Sequence, residues 1–178
     1  MRQGIIIFAE AHPPGSPGER SLKAAVEAAV GAPEATPFVA YGDAAASQRL
    51  RTLVGGPPPR FFPQATRTRL GERLQQAYAF LFVQDYERVA IVVGDYPVTP
   101  EAFTGAFAAL QEAPLHIEEA GGAAYLIALR RADFPVVAPV FEDVPWERTG
   151  AREAALARLA EAEQAPEGPP RRRRPPDS

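Results

Sequence analysis

The sequence predicts an α/β fold: a single three-layer α/β/α sandwich whose sheet is mainly parallel with one antiparallel strand. Three observations carry this. Residues 89–93 are an unbroken apolar run, β-branched at four of five positions, with Gly94, Asp95, Tyr96 and Pro97 behind it. A short run with turn signals at its end reads as a strand buried on both faces, as in the centre of a parallel sheet. Strand-like runs alternate with helical periods along the chain, the pattern of a sheet with crossover helices. Residues 115–117 and 123–129 are joined by a short link through Gly121-Gly122. That link is shorter than the roughly dozen residues a parallel crossover needs, so an antiparallel strand is expected.

Residues 4–9 (Gly-Ile-Ile-Ile-Phe-Ala) are the first strand candidate. Residues 11–20 form a Pro/Gly-rich loop, long for a strand-to-helix connection, and long loops are often functional. Ser21 is placed to cap a helix running to Val30, with Leu22, Ala25, Val26 and Ala29 on one face and Gly31 as its stop. Residues 38–41 read as a second strand, and Asp43 as the cap of a helix to about Val54. Gly55-Gly56-Pro57-Pro58-Pro59 breaks the chain, and residues 60–64 are a short extended piece. Leu70, Leu74, Ala77, Tyr78 and Leu81 recur at helical spacing, which predicts an amphipathic helix over 68–82.

Beyond the central strand, Thr99, Pro100 and Glu101 supply a cap hydroxyl, an N1 proline and a first-turn acid. The helix they start presents Phe103, Phe107 and Leu110 and ends near Gln111. Residues 130–140, with Pro135 and Pro139, read as irregular, residues 141–146 as a loop, and residues 152–163 as an alanine-rich helix. The tail, 166–178, is rich in Pro and Arg with nothing apolar to bury, and is expected to be disordered. The domain is therefore residues 1–165.

Composition narrows the function. The chain has 178 residues, enough for one domain with a sizeable core. Its net charge is −3; the tail carries a local +2, which leaves −5 on residues 1–165. An acidic body lacks the basic face of a nucleic-acid binder. The arginine run 171–174 adds only weak, salt-sensitive attraction to anions. The absence of cysteine excludes disulfides, thiolate metal sites and a Cys nucleophile. No apolar run reaches the roughly 20 residues of a membrane span, and the N-terminus reads as a strand, not a signal peptide. A cytoplasmic protein is expected. Ala/Leu-rich helical faces are compatible with a homodimer. Neither a P-loop nor a hydrolase nucleophile elbow occurs.

Five stretches occur in an order that resembles one family: Phe61-Phe62-Pro63-Gln64, Leu70-Gly71-Glu72-Arg73-Leu74, Val92-Val93-Gly94-Asp95-Tyr96-Pro97, Gly121-Gly122 before Tyr125-Leu126-Ile127, and Phe141-Glu142-Asp143-Val144-Pro145-Trp146. The chain resembles the small bacterial selenodomain-associated transferases, also described as uncharacterised glycosyltransferases, of the nucleotide-diphospho-sugar transferase superfamily. The resemblance spans Ile5 to about Glu163 and implies a glycosyltransferase-A-like, Rossmann-like fold. It also implies a nucleotide-sugar site at the carboxyl ends of the parallel strands. Asp95, behind Gly94, would hold a divalent cation, Mg²⁺ or Mn²⁺, on the sugar-nucleotide diphosphate, and Arg20 would contact phosphate. Gly94 and Asp95 match the family's Gly-x-Asp-x-Pro segment. In the first loop Phe8, Ala9 and Pro14-Gly15 match, but Glu10 and Gly18-Glu19 stand where the family has lysines and a threonine. Ala120 stands where the family has an aspartate.

The same residues have plainer uses. Asp95 after Gly94 serves equally as a turn cap, and Arg20 as a solvated first-turn side chain. His12 and His116, the two histidines, read as surface or locally satisfied groups, and without Cys partners do not suggest zinc. Glu118-Glu119 is either a solvated strand end or a substitute for the missing aspartate. Phe61-Phe62, Phe141 and Trp146 read as packing residues. Glu10 and Glu19 add negative charge to the loop that would face phosphate, which opposes an anionic ligand. Two functions follow. One is a divergent nucleotide-sugar-dependent transferase, with a cation stabilising the nucleoside-diphosphate leaving group. The other is a catalytically inactive relative that binds or interacts.

Overall fold

β1 (Gln3–Ala9) runs through the middle of the protein, with Ile5, Ile6, Ile7 and Phe8 all buried. Each such side chain contributes roughly 1.5–3 kcal/mol by leaving water. The structure is a computed structural model that describes residues 1–65 and 68–164, so the tail expected over 166–178 lies outside it. After β1 come α1 (Pro17–Gly31), β2 (Ala35–Tyr41), α2 (Ala44–Leu53), β3 (Arg60–Pro63), α3 (Leu70–Phe82) and β4 (Arg88–Val92). Then follow α4 (Pro100–Ala109), β5 (Leu115–Ala120), β6 (Ala123–Arg130), one-turn helices α5 (Phe134–Val137) and α6 (Val140–Asp143), and α7 (Ala151–Gln164).

The six strands lie in the order β3-β2-β1-β4-β6-β5. β1 pairs in parallel with both β2 and β4, and β2 with β3. β6 is antiparallel to β4 and to β5, and is the reversed strand that the short Gly-Gly link requires. Gly121 and Gly122 make that turn with φ of 60° and 88°, in the left-handed region that glycine tolerates. Helices cover both faces. Ile6, Phe8, Val89 and Ile91 meet α3 and α5–α7, while Ile5, Ile7, Ala90 and Val92 meet α1, α2 and α4. No helix among the described residues is long and apolar enough to cross a membrane.

The structure corrects several local expectations. α1 is capped by Ser16, not Ser21: its side chain accepts from the Glu19 backbone N–H at 3.2 Å, and Pro17 occupies the first turn. Ser16-Pro17-Gly18-Glu19 is a capping-box sequence, so the helix begins earlier and the loop before it is shorter. Thr99 precedes α4 as expected, but its hydroxyl makes no capping hydrogen bond. The stretch after β6 is not irregular; Arg131–Asp133, α5 and α6 are successive single turns. Pro135 lies in the first turn of α5 and Pro139 just before α6, where a missing N–H costs nothing. Phe61 and Phe62 are only half-buried, because β3 is an edge strand. Asp43 caps α2 as expected, accepting from Ala45 N–H at 2.8 Å.

One close approach fixes the start of α3. At Gly71 an added Cβ would collide with the backbone carbonyl of Phe141, and Trp146 Nε1 donates to that same carbonyl at 3.0 Å. Because the obstacle is backbone, Gly71→Ala is expected to destabilise by on the order of 3 kcal/mol. Gly105, on α4, has nothing within 4 Å of an added Cβ. Gly105→Ala is therefore expected to stabilise by about 0.5–1 kcal/mol through helix propensity. Urea denaturation of both variants checks the contrast.

Candidate functional site

The chain leaves β1 toward β2 on one side, whereas β4 lies on the other, so the connections diverge at the carboxyl ends of β1 and β4. Ligands of open α/β sheets bind at such a point. Here it is flanked by residues 10–16, Gly94 to Tyr96, the start of α3 and the segment ending at Trp146. A cleft of about 230 Å³ opens on the α3 side, walled by Phe8, Arg73, Gly94, Tyr96 and Trp146 among others. A second, of about 310 Å³, lies over the ends of β1 and β2, between Glu10, Asp43, Gln64 and Arg73. All five stretches singled out in the sequence line these clefts: Gln64; Leu70 and Arg73; Val93, Gly94 and Tyr96; Ala123-Ala124, between Gly122 and Tyr125; and Trp146.

Arg73 is common to both clefts. Its side chain is 11% exposed. The guanidinium lies over the Phe8 ring, 5.1 Å from its centre. Arg73 Nε donates to Gln64 Oε1 at 3.4 Å, and Nη1 stands 3.6 Å from Glu10 Oε1. These contacts are long; among the described residues the five donors of the guanidinium make this one hydrogen bond and this one ion pair. Gln64 is itself held on the end of β2, donating from its side chain to the Ala40 carbonyl at 3.3 Å and from its backbone to that of Tyr41 at 2.9 Å.

Asp95 stands at the same crevice, half-exposed, on the turn that Gly94 makes with φ of 77°. His12 Nε2 lies 2.9 Å from Asp95 Oδ1. The nitrogen is buried and makes no aligned hydrogen bond to the carboxylate. His12 is thus neither a surface residue nor a satisfied one. Asp95 and His12 are the donors a cation would meet here, and no cluster of three His, Asp or Glu side chains forms among the described residues. Mg²⁺ commonly takes one or two carboxylates and completes its shell with substrate oxygens and water, so this donor set fits it only with a ligand's help.

Arg20 is exposed and turned back, donating from Nη1 to the Gly15 carbonyl. Glu19 turns the other way. Its carboxylate accepts from Gly15 N–H at 2.6 Å and from Arg49 Nε and Nη2 on α2, the latter at 3.2 Å. The Arg49 hydrogen bonds, and then the Gly15 amide, hold its pKa down at about 2. Glu118 and Glu119 are engaged in structure. Glu118 accepts from the Tyr125 hydroxyl and lies 3.2 Å from His116 Nε2; Glu119 accepts from Arg152 N–H at the start of α7 at 3.0 Å. Partial burial and the Glu118 hydrogen bond raise the Tyr125 pKa to about 12. Phe141 and Trp146 pack as expected, with Phe141 stacked on Tyr78 at 5.3 Å between ring centres.

The sequence shows Glu19 as added negative charge on the first loop but not its lock onto Gly15 and Arg49, and it does not single out Arg73 as a site residue. A signal for Arg73 was present. A basic residue in the first turn of a helix opposes the helix dipole, and this one borders the apolar stripe of Leu70, Leu74 and Ala77.

Solved structures similar to this one share its fold. A protein from Desulfovibrio desulfuricans G20 provisionally designated a nucleotide-diphospho-sugar transferase superposes with a TM-score of 0.76 at 22% identity, over 92% of this chain and 78% of that one. The 4-diphosphocytidyl-2C-methyl-D-erythritol synthase of Anaerococcus prevotii DSM 20548 gives 0.56 at 12% identity, over 86% and 80%. The homologue of Mycobacterium tuberculosis Rv0371c from Mycobacterium sp. strain JC1 gives 0.54 at 15% identity, over 92% and 98%. No curated protein matches the chain in sequence. The fold is thus that of the nucleotide-diphospho-sugar transferases. By sequence, residues 25–148 match the family described as uncharacterized protein conserved in bacteria (DUF2064), and the chain belongs to it.

Glu19 has a readable consequence for pH. Its folded pKa, about 2, lies below the ordinary 4.5. Its contribution is therefore present above pH 4.5 and is lost as pH falls through about 2. Urea midpoints measured from pH 6 down to about 2 should fall more steeply for the unaltered chain than for Glu19→Gln, which lacks that proton site.

Proposed function

We propose that this chain is a divergent nucleotide-sugar-dependent glycosyltransferase-like protein that takes a nucleoside diphosphate-sugar in the crevice at the ends of β1 and β4. The observation that supports it most is Arg73: a nearly buried guanidinium, loosely partnered, shared by two clefts at the place where this fold class binds ligands. A partly desolvated arginine with open donors suits phosphate oxygens, which it meets with charge-assisted hydrogen bonds. The order of the five sequence stretches supports placing the chain with the selenodomain-associated transferases of the superfamily.

In this reading Arg73 neutralises the anionic part of the ligand. Asp95 and, behind it, His12 would hold Mg²⁺ or Mn²⁺ together with diphosphate oxygens. When bound, that cation stabilises the departing nucleoside diphosphate. Tyr96 and Trp146 line the cleft, and Phe8 lies beneath Arg73; together they exclude water and restrict the pose. Gly94 permits the turn that brings Asp95 to the mouth.

A second reading, a catalytically inactive relative that binds without transferring, is favoured by one observation. The Gly15 amide and Arg49, donors beside α1, are already taken by Glu19.

Calorimetry with UDP-, GDP-, CDP- and ADP-sugars, with and without Mn²⁺, tests the proposal. One nucleotide class should bind. Arg73→Ala should weaken it by about tenfold or more, the scale of a charged hydrogen bond of roughly 1.5–3 kcal/mol. Asp95→Ala should abolish any gain from Mn²⁺. Absence of binding for every nucleotide at millimolar concentration would overturn the transferase reading. Nucleotide binding with no product formed under any tested acceptor favours the second.

A further inference from the structure

We infer that Glu19 is a specificity-determining residue: its carboxylate is a resident anion on the α1 side of the crevice, so a ligand's phosphates are confined to the Arg73 side. This rests on the reading that the crevice takes an anionic ligand. In an open α/β sheet, the helix after the first strand points its N–H groups and its positive dipole end toward the crevice, the usual place for an anion. Here a charge from the chain itself is already in place. Glu19, only 8% exposed, reaches back to Gly15 N–H, and Arg49 from α2 closes on its other side.

The shape of the crevice agrees. On the α1 and α2 side, the space between Glu10, His12, Glu19, Leu22, Arg49 and Leu50 is about 20 Å³, room for roughly one water. The clefts that share Arg73 are about 230 and 310 Å³. The His12 ring covers the first turn of α1, where a Cβ on Gly18 would come within 2.5 Å of Nδ1. A phosphate entering there would lose the Arg49 charge to Glu19, meet a like charge, and find the Gly15 amide occupied. On the α3 side Arg73 offers donors and space; Glu10 lines the clefts on both sides and so does not distinguish them. Glu19 thus sets which side of β1 receives the anion, and it selects against ligands whose binding needs a helix N-terminus.

Glu19→Gln is the informative change. The amide keeps the shape and can still accept from Gly15 N–H, so the capping arrangement survives, while the charge and its hold on Arg49 go. With inorganic pyrophosphate as the probe in calorimetry, Glu19→Gln should bind at least tenfold more tightly than the unaltered chain. Adding Arg49→Ala should remove the gain. Equal affinity in a folded Glu19→Gln protein overturns the inference. A second measurement needs no variant. On titrating the unaltered, ¹⁵N-labelled chain with pyrophosphate, the Gly15 amide and Arg49 Nε resonances should stay in place; their movement with saturation overturns the inference. Failure of the nucleotide reading shows separately, as no nucleotide-sugar binding to the unaltered chain, whereas the pyrophosphate comparison stands on Glu19 alone.

Discussion

The parallel pairing of β1 with both β2 and β4 is the constraint on which the molecule depends. Residues 3–9 pair with 35–41 on one side, and residues 3–7 pair with 88–92 on the other. With neighbours on both edges and helices on both faces, residues 4–9 of β1 are buried, which is why its centre, residues 5–8, is a run of Ile and Phe. Parallel strands must be joined by crossovers, and those from β1 and from β4 depart to opposite sides. The carboxyl ends are left uncovered between them, and the crevice follows from topology before any side chain is considered.

Side chains then make the two halves of that crevice unlike. On the α3 side, Gly71 lets the Phe141 carbonyl press onto the helix, and Trp146 bonds to the same oxygen. This fastens the first turn of α3 to the chain's last third and aims Arg73, two residues further on, across Phe8. On the α1 side, the capping-box glutamate reaches past its usual partner to Gly15 and locks to Arg49. Both halves therefore contain an arginine; Arg49 is spent on Glu19, whereas Arg73 makes, among the described residues, one long hydrogen bond and one long ion pair.

Much of this architecture was legible in the sequence. β4 was plain because a strand covered on both faces must be continuously apolar, and the β5–β6 hairpin because its link is too short for a crossover. The convergence of five stretches at one crevice was legible only as an order along the chain. Their meeting is a product of sheet order, which no local pattern encodes. The start of α1 was misplaced because Ser16 and Ser21 are both competent caps, and the choice fell to Pro17 and Glu19. The contacts of Arg73 and Glu19 were hidden for a related reason. Each is an ordinary charged helix residue until the fold sets Phe8 and Gln64 beside one and Gly15 and Arg49 beside the other. Asp95 and Gly94 were visible as a turn with a carboxylate, but His12, more than eighty positions earlier, was not visible as its neighbour.

The most direct test is a crystal structure of the unaltered chain grown with Mn²⁺ and the nucleotide sugar that binds most tightly. Phosphate oxygens within hydrogen-bond reach of Arg73, Mn²⁺ on Asp95, and Glu19 still on Gly15 and Arg49 are the expected result. A diphosphate seated on the Gly15 amide with Glu19 swung away, or a nucleotide bound elsewhere on the surface, would contradict it.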